Sequence, residues 1–63
     1  MIVAVPLLEG RVAPRCTRAT HLLLATVTRG RVTARRVVEV EIDNAVTLLE
    51  LSRSFGFDTL ACG

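Results

Sequence analysis

The segment from Val32 to Ile42 constrains the fold more than any other. Val32, Ala34, Val38, Val40 and Ile42 take alternate positions, broken by Arg36, while Thr33, Arg35, Glu39 and Glu41 take the others, broken by Val37. Successive side chains of a strand point to opposite faces, so this period of two predicts an extended strand with one packed face and one wet face. Such a strand belongs near a sheet edge, and the rest of the chain must supply its neighbours.

Three more segments suit a sheet. Ile2 to Val5 is an apolar run without alternation, the pattern of a strand buried on both faces. Pro6 is expected to close it, because proline has no N–H for a central ladder. His21 to Thr28, rich in Leu and Thr, is the second strand, and Arg29-Gly30 predicts a tight hairpin into the third. Between the first two strands, Leu7 to Thr20 contains Gly10, Pro14 and scattered arginines with no period. This predicts either a long functional excursion or a loop holding one extra hairpin or short turn.

After Ile42 the period changes. Asp43 is the expected N-cap of a helix from Asn44 to Phe55, with Gly56 taking the left-handed position after it. Val46, Leu49 and Phe55 form its expected apolar stripe, widened by Ala45, Leu48 and Leu51. Arg53 complements the helix dipole in the last turn. Phe57 to Cys62 then reads as a final strand.

The order is strand, loop, strand hairpin, helix, strand, and a single helix covers only one face of a sheet. The opposite face and the terminal edge are left bare, which predicts a second layer from elsewhere. A chain of 63 residues hides only about 60% of the surface it exposes when extended. Residues 1–63 therefore read as one partial domain, completed by a further segment, a second copy or a complementing polypeptide.

Charge is segregated along the chain. Arg11, Arg15, Arg18, Arg29, Arg31, Arg35 and Arg36 come with no acid between them, whereas Glu39, Glu41, Asp43, Glu50 and Asp58 follow with only Arg53. Such asymmetry attracts an anion or joins two subunits. Glu39 and Glu41 share a strand face with Arg35, and their register within the hairpin does not bring them to Arg29 or Arg31, which points to a partner subunit. Two cysteines are too few for a secreted disulfide scaffold, and no apolar run approaches membrane-spanning length. A reducing, cytoplasmic setting without membrane contact is expected. Nucleic-acid binding is not favoured, because arginine with no lysine at all reflects codon composition as readily as a need for bidentate contacts. No HExxH, GxGxxG, GxxxxGK or GxSxG spacing occurs, so a noncatalytic protein is expected.

The opening IVAVP, the segment EGRVAPRCTRA, the hairpin TRGRVTARR and the helix followed by GFDTLACG together resemble the dinitrogenase iron-molybdenum cofactor biosynthesis domain. The resemblance touches nearly the whole chain, which corresponds to the first half or more of a family domain. It implies a partial ribonuclease-H-like α/β fold, a mixed sheet with β-β-β-α-β order and strands arranged 3-2-1-4. The family loop reads roughly Val-Ser-x-His-Phe-Gly-Arg-Ala. Val12, Arg18 and Ala19 fit it, while Arg15, Cys16 and Thr17 replace its His, Phe and Gly. The implied function is noncatalytic binding or escort of an iron–sulfur or iron-molybdenum type cluster, with a metallocluster donor or acceptor protein as partner.

A parallel first and last strand would bring their C-terminal ends to one edge of the sheet. Cys16 lies in the loop leaving the first, Cys62 ends the last, and His21 begins the antiparallel neighbour, so the three form a candidate metal site. Thiolate and imidazole suit zinc, copper or an iron–sulfur species. Arg11, Arg15 and Arg18 would offset the charge of such a cluster. Each residue also has an ordinary alternative: Cys62 as a small buried side chain, Cys16 as a loop thiol, His21 as a strand start, the arginines as a solvated face. On that alternative the chain binds no metal and is a structural or protein-interaction module that oligomerises through its bare face or edge.

Overall fold

The structure, a computed structural model, describes residues 1–61. In chain order the elements are β1 (Ile2–Leu8), β2 (Arg11–Val12), β3 (Ala19–Thr28), β4 (Arg31–Ile42), α1 (Ala45–Phe55) and β5 (Thr59–Leu60). β2, β1, β3 and β4 are neighbours in that order and antiparallel, and β5 runs parallel to β1 beside Val3 and Ala4. The described residues thus form a small mixed α/β domain with one five-stranded sheet and one helix.

Two hairpins are closed by two-residue turns with the same chemistry. Glu9-Gly10 and Arg29-Gly30 have φ of 54° and 77°, and 53° and 77°. Positive φ at both central residues is the type I′ turn, whose twist matches the strands it joins. A Cβ at Gly10 or Gly30 would meet nothing within 4 Å, so glycine is required there for its backbone freedom alone. The Leu7–Thr20 stretch therefore holds the extra hairpin, and the irregular loop proper shrinks to residues 13–18.

Pro6 does not end β1, which continues to Leu8. Its carbonyl accepts from the Ala13 N–H at 2.8 Å, on the side away from β3. Carbonyl and amide of one strand residue point the same way, so the missing N–H also faces away from β3 and removes no rung of the β1–β3 ladder. The position it faces lies between β5, paired at Val3 and Ala4, and β2, paired at Leu7 and Leu8.

The helix starts one residue later than expected. Asn44 is the N-cap, with extended backbone (φ −158°), and its Oδ1 accepts from the Thr47 N–H at 2.9 Å. Asp43 instead accepts from the Asn44 side-chain amide at 2.8 Å, steadying the cap from outside. At the other end Gly56 takes φ 70° and its N–H donates to Ser52 O.

The apolar stripe is also rotated from its expected position. Leu48, Leu51 and Phe55 pack on the core, while Val46 and Leu49 are 64% and 55% exposed. Of the wide stripe expected from spacing, the packed part is Phe55 against the Ala4, Leu22 and Leu24 cluster and Leu48 and Leu51 against the Ala13, Ala19 and Ile42 cluster. Below the helix lie Ala4, Leu22 and Leu24 in one cluster and Ala13, Ala19 and Ile42 in another, bridged by Val40. Arg36 lies with its guanidinium 5.6 Å from the Phe55 ring centre, a cation–π contact that accommodates a charge on this packed face.

Candidate functional site

Strand register determines what the other face of the sheet carries. Residues paired across an antiparallel ladder share a face, so the helix-covered set of Ala4, Leu22 and Leu24 leaves the odd-numbered residues of β1 opposite. Three ranks run across the strands there: Thr59, Val3, Ala25 and Arg35; then Val5, Leu23 and Val37; then Val12, Leu7, His21 and Glu39. The middle rank is wholly apolar. Each outer rank ends on β4 in a charge, Arg35 at one corner and Glu39 at the other.

No element of the described residues lies over this face: the only helix among them packs on the opposite side. Val3, Val5, Leu7, Leu23 and Ala25 are half-buried through their in-plane neighbours alone, and Val37 is 55% exposed. The first strand was expected to be buried on both faces, yet only its Ala4 and Pro6 side is. A single helix layer accounts for the difference. The result is a contiguous apolar surface on one side of the sheet.

The outer edge of β4 continues the same surface. Among the described residues β4 pairs only with β3. Register shifts interrupt that ladder between Ala19 and His21 and between Thr26 and Val27, which leaves Ala34–Glu39 as its regular stretch. Across the ladder Arg35 faces Ala25 and Glu39 faces His21, so neither charge stands opposite its complement within the hairpin.

Of the residues expected to hold a metal, His21 and Cys16 lie within the described residues, one on a strand and one in a loop. His21 lies on the uncovered face, exposed, with its Nδ1 3.0 Å from the Thr20 hydroxyl. Cys16 is half-buried in the 13–18 loop and is disulfide-bonded, so it presents no thiolate. Cys62 lies outside the described residues. Arg15 and Arg18 are brought together: the Arg18 N–H donates to Arg15 O at 3.3 Å, and both line a shallow cleft of about 320 Å³ with Leu8, Glu9 and Pro14. Glu9 supplies a carboxylate to the same cleft. Among the described residues no three His, Cys, Asp or Glu side chains are grouped so as to hold a metal ion.

Sequence reasoning anticipated a bare face but not its members. Val12, Val3, Val5 and Leu7 entered it only through register, and the one available signal was an apolar strand without enough helix to cover it. No helix of the described residues is long and apolar enough to cross a membrane. Compared with known proteins, the chain matches no family model, no curated protein and no solved structure.

Proposed function

We propose that this chain is a protein-interaction module, noncatalytic, that works by taking a polypeptide against its uncovered sheet face and open β4 edge. The observation that carries this is the apolar rank Val5–Leu23–Val37, which no described element covers. Burying it gains about 25 cal/mol for each Å² of apolar surface removed from water, and a domain this small has little other reserve. The β4-β3-β1-β5 arrangement is compatible with the first part of a ribonuclease-H-like sheet, in which a second layer would occupy this same face.

The test replaces Val5 and Leu23 together by threonine, which keeps strand propensity and removes apolar surface. Sedimentation equilibrium over a range of protein concentration, with and without ammonium sulfate, follows association. Sulfate strengthens apolar burial, so it should raise the average mass of the native chain and leave the V5T/L23T variant unchanged. A native chain that stays monomeric throughout, or a variant that associates equally well, overturns the proposal.

A second proposal is cluster escort, in which the domain carries a metallocluster as cargo between donor and acceptor proteins. It is supported by the family resemblance and by the convergence of Arg15 and Arg18 on one cleft beside the Cys16 loop. Cys16 would act only in reduced form. Anaerobic reconstitution of the reduced chain with iron and sulfide, followed by metal analysis, tests it. Metal retained by the native chain and lost in Cys16→Ser and His21→Ala supports escort, and a native chain that retains none refutes it.

A further inference from the structure

Pursuing the interaction-module reading, on which this inference rests, we propose that two copies of the chain pair antiparallel along their β4 edges. The twofold axis passes through Val37, so that Arg35 of each copy lies opposite Glu39 of the other.

The direction of the backbone groups follows from Pro6. Its carbonyl points away from β3, so in the register Pro6↔Leu22↔Val38 the Leu22 amide and carbonyl point to β4, and those of Val38 point back. The alternate residues Arg35, Val37 and Glu39 therefore direct their N–H and C=O groups outward, along the free edge. All three lie inside the regular Ala34–Glu39 stretch, between the two irregularities. A second strand laid there would find an undistorted template for about six inter-chain hydrogen bonds.

The side chains select both the partner and the register. Opposed residues of an antiparallel pair share a face, so a twofold centre must fall on a residue, and the centres available differ by whole residues. Centring on Arg36 sets two guanidiniums against each other. A centre at Val38 sets Arg35 opposite Glu41, which lies beyond the register shift, and puts Val37 opposite Glu39 twice. Val37 is the centre that places valine on valine and, within the regular stretch, gives Arg35 and Glu39 each a complement, twice by symmetry. Edges that resist pairing carry charges that repel a copy of themselves. This edge carries charges that attract one.

Pairing in this register also joins the faces. A twofold axis perpendicular to the sheet keeps both helices on one side and runs the apolar ranks together, as Val5, Leu23 and Val37 followed by Val37, Leu23 and Val5 of the second copy. The uncovered surface of the assembly is then twice that of the chain and continuous across the axis.

Charge reversal tests the register directly. Arg35→Glu sets Glu against Glu in a self-pair, and Glu39→Arg sets Arg against Arg, whereas a one-to-one mixture of the two variants restores opposite charges at both contacts. Each variant alone should dimerise at least about tenfold more weakly than the native chain, and the mixture should recover native dimerisation. Sedimentation equilibrium reads the mass, and far-UV circular dichroism shows that both variants are folded. Recovery in the mixture is itself possible only with folded partners. Equal association in all four samples overturns edge pairing while leaving the face as the means of association. Four monomeric samples overturn self-pairing, and the response of the V5T/L23T variant to sulfate then decides separately on the face.

Discussion

Leu22 and Leu23 are adjacent, chemically identical and on opposite faces of β3, so truncating each to alanine measures how differently the two faces are covered. Leu22 is 0% exposed, packed among Ala4, Leu24 and the residues beneath α1. Its truncation removes transfer free energy and leaves a closed cavity, a loss of about 3–5 kcal/mol. A domain of this size rarely holds more than about 3–5 kcal/mol in total, so Leu22→Ala should lose its cooperative transition. Leu22→Val, at about 1–2 kcal/mol, keeps the site measurable. Leu23 is half-buried on the open face, where water fills whatever the truncation vacates. Only part of its transfer term is lost, about 1 kcal/mol, which moves a urea midpoint by about 1 M. Far-UV circular dichroism is the suitable probe, since the chain has no Trp or Tyr. At low concentration Leu23→Ala should unfold cooperatively and Leu22→Ala should not. Where association goes through the face, the cost of Leu23→Ala should grow with concentration, whereas pairing along the β4 edge alone leaves that face uncovered and the cost unchanged. A Leu23→Ala loss equal to that of Leu22→Ala in the dilute monomer would refute the one-layer account.

Other substitutions check local features. Asn44→Ala should cost about 1 kcal/mol through the lost N-cap bond to Thr47, while Asp43→Ala, one position outside the helix, should cost a few tenths, both read from thermal melts. Arg29→Asn should stabilise the hairpin by up to about 1 kcal/mol, since Asn-Gly suits a type I′ turn better than Arg-Gly. Gly30→Ala should destabilise it by about 1 kcal/mol or more, although open space surrounds the site, because φ of 77° opposes any Cβ. Equal melting temperatures for Gly30→Ala and the native chain would show that the turn has another form.

Several features were legible before any fold was known. The strand from Val32 to Ile42, the Arg-Gly turn and the Gly56 helix end depend on short-range sterics and appear where expected, but the shared packed face does not reach Val32, which is 59% exposed and sits opposite Val27 beyond the register shift. The imbalance of one helix against several strands was legible as well, since it needs only counting. Other features were not. Pro6 looks like a stop signal in sequence, and its tolerance depends on which way its nitrogen faces between two partial edge strands. Asp43 and Asn44 are both good caps, and the position of Ile42 in the core decided which one begins the helix. Cys16 and His21 share a region of the sheet in topology, yet His21 projects to the uncovered face with Leu7 and Glu39, while Cys16 is held in a separate loop.

By itself the sequence determined the elements, their turns and the shortage of covering layers, because backbone sterics and apolar periodicity act within a few residues. Only the tertiary structure decided which side chains share a face. Strand register is a long-range choice, and a slip of one residue exchanges every inward position for an outward one. That choice made Val5, Leu23 and Val37 one surface, and set Arg35 and Glu39 on an open edge at equal distances from its centre.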